Sequence, residues 1–307
     1  MNKIYAVFGR PVLHSKSPQL FAPVIGNNGN SYYTRIRPIS AADLTEIVRN
    51  LNIIGASITS PFKEEIIPFT DNLSREAQDI GAVNCIRLRD GRIEGHNTDH
   101  CGVSGALRES GLEPDGSRIL VVGAGGAAKA AVYGLAKAGA KVFISNRTMS
   151  KAVKLADKFG CDILDWKNPT GNMKFDAVVS ALLPEALPPF IDRIEYSLLL
   201  DAVYKPSAVS SYSKKIGVRL VGGERWLIHQ GIKAAEFYIG TEPEARQLGE
   251  RLNEKPDKNA IDIFILNKSN REEFFSRPHD LVISAEGLDS ETIKSLKDEE
   301  MRLAFGG

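Results

Sequence analysis

Short apolar runs separated by polar, helix-compatible stretches recur along the whole chain, and this alternation predicts an α/β protein. In residues 1–100, strands are expected at 4–8, 32–36 and 56–59, with helices at 41–50 and 74–79 that start on polar residues. A connecting helix is expected over 101–111, and the turn residues of 111–116 end it before the next apolar run. That run, 119–122, and a second at 141–145 flank an alanine-rich stretch, 127–138. Further strands are expected at 175–180 and 198–201, followed by a long helix over 226–239. Residues 256–307 keep the pattern, with strands at 261–266 and 280–284 and a capped helix over 290–305.

The segment 117–148, SRILVVGAGGAAKAAVYGLAKAGAKVFISNRT, changes the picture from architecture to chemistry. It reads as a complete strand, turn, helix and strand in which Gly123, Gly125 and Gly126 let backbone N–H groups approach a pyrophosphate at the helix start, beside Ala127. A side chain at Gly125 would block that approach. Alanines along the helix allow close packing on the sheet, and Gly139 stops it before the second strand. At the end of that strand, NAD-binding units place an acid about 20 residues beyond the glycines. Here stand Asn146, Arg147 and Thr148. An acid would repel a 2′-phosphate, whereas the Arg147 guanidinium can hold one by charge-assisted contacts, so NADP is favoured over NAD. Lys151 reads equally as added positive charge or as a solvated helix residue.

Composition adds exclusions. With 307 residues, 43% hydrophobic and 25% charged, the chain is long enough for two domains with sizeable cores. A net charge of +1, with no basic stripe, argues against a nucleic-acid partner. Cys85, Cys101 and Cys161 lack metal-ligand spacing and read as thiols in a reducing compartment. The five histidines show no useful pairing, so no metal is expected. No signal-length or bilayer-spanning apolar run is evident, which makes the cytoplasm the expected location and a membrane partner unexpected.

Polar residues cluster on the predicted loops of the first hundred residues. Ser15 and Ser17 offer two hydroxyls able to bind a carboxylate, although Ser17 before Pro18 also reads as a helix cap. Thr59 and Lys63 follow an apolar strand, which makes Lys63 a candidate proton donor. Asn84 and Asp99 follow two further turns and, taken singly, read as turn residues.

In chain order the motifs GRPVLHSKSP, ASITSPFK, GAVN, NTDHCG, VVGAGGAAKA, SNRT and DAVYKP, with a later Gln230, resemble the shikimate dehydrogenase family over roughly residues 4–250. The resemblance implies an N-terminal α/β substrate domain and a Rossmann-like doubly wound dinucleotide-binding domain, here with an additional C-terminal tail. It makes 1–100 the substrate-binding and catalytic domain, 101–228 the NADP-binding domain and 229–255 a helix returning to the first domain. Residues 256–307 become an extension of unassigned role, with seven basic and eleven acidic residues. The implied reaction is reversible reduction of 3-dehydroshikimate to shikimate with NADPH. Lys63 and Asp99 would handle the proton as a coupled pair, although a surface ion pair would also explain the two charges. Ser15 and Ser17 would hold the substrate carboxylate, and Thr59, Asn84, Asp99, Tyr204 and Gln230 would line the hydroxyl pocket. A homodimer is the candidate assembly.

Four departures bear on the substrate. Ser57 stands where the family commonly has Asn, Phe21 and Ala22 where it often has His-Asn, Trp226 where Met is frequent, and Val209 where Thr is common. Trp226 either narrows the nicotinamide side or fills the base of the long helix. Quinate or a related polyol acid is therefore a second substrate reading, and a metabolite-binding regulator without turnover is the alternative from another class.

Overall fold

The computed structural model describes residues 3–25, 31–254, 258–274 and 278–305. It divides into two compact units, residues 1–97 with 231–307 and residues 98–230. The expected division after residue 100 falls inside a helix, and the first unit ends before that helix instead. The expected start of the extension, between 255 and 256, lies outside the described residues.

The first unit begins with β1 (Lys3–Phe8), α1 (Ser17–Ile25), β2 (Ser31–Arg37), α2 (Ala41–Asn50), β3 (Ile53–Ile58), α3 (Phe62–Glu65), β4 (Asn72–Leu73), α4 (Arg75–Ile80), β5 (Cys85–Arg89) and β6 (Arg92–His96). Local chemistry sets several boundaries. The Ser40 side chain accepts the Asp43 N–H at the start of α2, Ser74 does the same for Ala77 in α4, and α4 ends at Gly81 with φ 72°. Strands β2, β1 and β3 run parallel, and β3 continues into the antiparallel pair β5 and β6.

The second unit contains α5 (Asp99–Glu109), β7 (Arg118–Val122), α6 (Gly126–Lys137), β8 (Lys141–Ser145), α7 (Met149–Phe159), β9 (Asp162–Ile163), β10 (Lys174–Ser180), β11 (Glu195–Asp201), α8 (Ala208–Lys215), β12 (Arg219–Gly222) and the start of α9 (Gly223–Ile239). Its six strands lie in the order β12-β11-β10-β7-β8-β9, all pairs parallel. Such a sheet is buried on both faces, which is why its strands read as continuous apolar runs. Val103, Ala106 and Leu107 of α5 and Ala128, Ala131 and Leu135 of α6 share its core, which explains why α5 belongs here entire. The division between units falls within α9, between residues 230 and 231.

Beyond α9 the chain adds α10 (Ala245–Gly249), β13 (Ile263–Leu266), α11 (Arg271–Phe274), β14 (Leu281–Ser284) and α12 (Ser290–Phe305), all in the first unit. Strand β14 pairs parallel with β2, setting Leu281 opposite Arg35 and Ile283 opposite Arg37. The first unit's sheet is therefore eight-stranded, in the order β13-β14-β2-β1-β3-β5-β6-β4. Leu281 and Ile283 pack with Val7, Val12 and Leu13, with Leu296, Met301 and Phe305 of α12 against them.

Candidate functional site

Ser15, Ser17, Thr59 and Lys63 follow the carboxyl ends of the adjacent parallel strands β1 and β3, the usual ligand end of an open α/β sheet. Ser15 and Ser17 follow β1. The Ser15 hydroxyl donates to Ser17 Oγ at 3.2 Å, and the Ser17 N–H reaches Ser15 Oγ at 3.3 Å. Ser17 also opens α1, so the capping and ligand-binding readings fall on one residue. This loop is bonded to the one after β3, where the Arg10 N–H donates to the Ser60 carbonyl at 3.0 Å.

Thr59 lies in that second loop, and Lys63 in the short helix α3 that follows it. The Phe62 N–H closes a turn on the Thr59 carbonyl at 3.0 Å, and the Lys63 carbonyl accepts the Val83 N–H at 2.7 Å. Asn84, buried, is the next residue, and its carbonyl accepts the Ile58 N–H at 2.7 Å. Backbone bonds thus bring Thr59, Lys63 and Asn84 together across residues distant in sequence. Ser57, at the end of β3, is engaged by two phenols: Tyr33 donates to its Oγ at 2.8 Å and the Tyr238 hydroxyl lies 3.2 Å away. Burial pushes the Tyr33 phenol well above its usual range, against hydrogen bonds to Ser57 and Ser17. Phe21 is fully buried, stacked on Tyr33 with centroids 5.1 Å apart. Sequence reasoning singled out Ser57 and Phe21 but not Tyr33, which joins them.

In the second unit, Asp99 opens α5 and is buried. Trp226 is buried in this unit's core and donates its indole N–H to the Asp99 carbonyl at 2.9 Å. Of its two sequence readings, packing at the base of the long helix is what the structure displays. Gln230 is buried in the same helix, its Oε1 accepting the Thr98 hydroxyl at 3.2 Å. Tyr204 is 41% exposed on the loop after β11. Val209 is a buried core residue of α8.

The glycine turn fits a dinucleotide for two different reasons. Gly123 has φ 124°, and a Cβ there would lie 2.9 Å from the Ala181 carbonyl, so the turn itself demands glycine. Gly125 has ordinary angles, φ −82° and ψ −174°, and an added Cβ would meet nothing within 4 Å. No protein atom needs that glycine, and the open space in front of the α6 N-terminus suits a phosphate. Ala127 lies in the first turn of α6, which carries no acid. At the end of β8, the Asn146 side chain donates to the Thr148 carbonyl at 2.9 Å, and Arg147 is exposed. Thr148 caps α7 without a side-chain bond, and no acid sits in its first turn. That leaves N–H groups beside a guanidinium, a pairing suited to an anion such as a 2′-phosphate.

Among the described residues, no cluster of three His, Cys, Asp or Glu could hold a metal, and no helix is long and apolar enough to cross a membrane. None of the three cysteines forms a disulfide.

Two family models and several relatives match the chain. Residues 7–86 match a family model described as the shikimate dehydrogenase substrate binding domain, and residues 106–185 match one for shikimate / quinate 5-dehydrogenase. A shikimate dehydrogenase (NADP(+)) from Aquifex aeolicus is 35% identical over 250 residues, covering 78% of this chain and 93% of the relative. A crystal structure of the Aquifex aeolicus shikimate dehydrogenase superposes with a TM-score of 0.75 at 33% identity, over 82% of this chain and 98% of that one. The Thermus thermophilus shikimate 5-dehydrogenase in complex with NADP(H) and shikimate gives a TM-score of 0.73 at 30% identity, over 81% and 98%.

Proposed function

Because this chain belongs to the shikimate dehydrogenase family, we propose that it is an NADP-dependent oxidoreductase that reversibly reduces 3-dehydroshikimate to shikimate. The observation that carries the reading is the convergence of Ser15, Ser17, Thr59 and Lys63 on bonded segments at one end of β1 and β3, in a chain that retains Asp99 and an open glycine turn. In this reading Ser15 and Ser17 hold the substrate carboxylate. Thr59, Asn84, Tyr204 and Gln230 bind ring hydroxyls, where an unmatched buried partner costs about 1–3 kcal/mol. Bound NADPH supplies a hydride to the ketone carbon. Lys63 delivers a proton to the oxygen on which negative charge develops, and Asp99 orients and shares that proton. Gly123, Gly125, Gly126 and Ala127 form the pyrophosphate cradle, and Asn146, Arg147 and Thr148 hold the 2′-phosphate.

Quinate is the second substrate reading, and Ser57 is the observation that favours it: a short hydroxyl shared with Tyr33 and Tyr238 presents different groups from an amide. The proposal extends to a cytoplasmic location and a homodimer, the latter read directly by light scattering. The deciding assay follows nicotinamide absorbance with 3-dehydroshikimate or shikimate, with NAD(H) and quinate in parallel and Lys63→Ala as control. Turnover with shikimate and NADP that collapses in the variant supports the proposal. Ligand binding without turnover across the panel supports the regulator.

A further inference from the structure

Loop 12–17 carries the two serines, yet its backbone is held from the far end of the chain. The Glu300 carboxylate of α12, fully buried, accepts the Val12 N–H at both oxygens (3.1 and 2.9 Å) and the Leu13 N–H at Oε2 (2.7 Å). Two successive N–H groups converging on one carboxylate form an anion nest. The charge is matched by Arg37, which donates to Glu300 Oε1 at 2.6 Å and, through its other nitrogen, to Glu299 at 2.6 Å. The neighbouring cation on the same face of β2, Arg35, donates to the Ser15 carbonyl through Nε at 3.0 Å and through NH2 at 2.8 Å. Burial pulls the Arg35 guanidinium down to about 10, with Asp280 and Glu300 acting against it. A turn, Ser15 N–H to the Val12 carbonyl at 2.9 Å, links the two grips. Strand β14 lies directly beside both arginines.

We propose that Glu300 is a positioning residue for substrate binding: through Val12 and Leu13 it fixes the loop that presents Ser15 and Ser17 to the substrate carboxylate, and this is the functional role of the C-terminal extension. The inference rests on the reading that these serines bind that carboxylate. Without Glu300, two buried N–H groups lose their acceptor, the buried Arg37 keeps only Glu299, and the serine loop is left held from one side only.

The test uses the full chain with Glu300→Gln, which keeps the shape, and Arg37→Lys, which keeps the charge but loosens the grip on the same carboxylate. Glu299→Ala, at the exposed end of the network, is the control. Each is assayed with shikimate and with its methyl ester, which has no carboxylate charge. Expected is a rise of about tenfold in KM for shikimate, with KM for NADP within twofold of the wild type and a much smaller change for the ester. A general loss of stability would affect acid and ester alike. An unchanged acid-to-ester ratio in either folded variant overturns the proposal. If the wild type itself shows no turnover with shikimate, the underlying functional reading fails instead.

Discussion

Trp226 donates its indole N–H to the backbone carbonyl of Asp99 at 2.9 Å, tying α9 to the first residue of α5. The contact is close-packed: a Cβ at Gly102 would lie 2.5 Å from the indole Cδ1, so helix α5 needs glycine where the ring passes. Trp226→Phe keeps most of the packing but removes the indole hydrogen bond, at a cost of about 0.5–1.5 kcal/mol. Urea unfolding should detect that loss, and kcat should fall because the Asp99 side chain rides on the same residue. Unchanged values of both would show the bond to be incidental.

Gly125→Ala separates cofactor binding from folding. With φ −82° and open space around the added methyl, the variant should be as stable as the wild type or about 0.4–1 kcal/mol more so, from reduced unfolded-state entropy. KM for NADP should rise sharply while the melting temperature holds. A loss of stability without a change in KM would mean the turn serves the fold alone.

Arg147→Ala should convert a preference into near indifference. The lost charge-assisted contact is worth about 1.5–3 kcal/mol, or roughly 10- to 100-fold in the NADP-to-NAD ratio of kcat/KM. Because Arg147 is exposed, raising salt should narrow the wild-type ratio in the same direction. Equal losses for both nucleotides would remove the 2′-phosphate assignment.

Asp201, at the end of β11, carries a pH signature. It is buried, the Ser207 hydroxyl donates to Oδ2 at 2.5 Å, and Oδ1 has no hydrogen-bond partner. Burial pushes its carboxyl up, against hydrogen bonds from Ser207, Val203 and Ser180. A folded pKa above the unfolded value of about 3.9 means that the folded state holds the proton more tightly. The resulting stability is complete below that value and is lost as pH rises through the folded pKa. Melting curves from acid toward neutral pH should show this decline in the wild type and a flatter profile in Asp201→Asn. Parallel profiles would refute the assignment.

What the sequence revealed depended on distance along the chain. The glycine turn, its alanine-rich helix and the SNRT strand end were legible because every requirement lies within one local βαβ unit. Helix α12 was expected over the residues it occupies, since capping and amphipathicity are also local. What α12 and β14 pack against was not legible. Glu300 sits in a run, KDEEMR, that reads as a solvated helix face, and its burial is decided by groups up to 288 positions away. A clue did exist in β2, where Arg35 and Arg37 alternate and so put two cations on one face of a strand that is otherwise fit for burial. Buried cations need acids, and SYYTRIR contains none. Trp226 stayed open between two readings because its neighbours, Asp99 and Gly102, come from a different stretch of chain. Tyr33 went unnoticed for a similar reason, since its partner Ser57 lies on another strand.

The pairing of β14 with β2 also orders events at the ribosome. Residues 98–230 form one uninterrupted unit and can fold as soon as they emerge, but the sheet that begins with Lys3 receives an outer neighbour only when 281–284 are made. The backbone of Val12 and Leu13 waits longer still, for residue 300. Strand β2 is thus made long before its outer neighbour, and during that interval it presents an open edge of the kind that draws strands from other chains. Nascent chains stalled short of β14 should therefore engage chaperones through the exposed edge of β2.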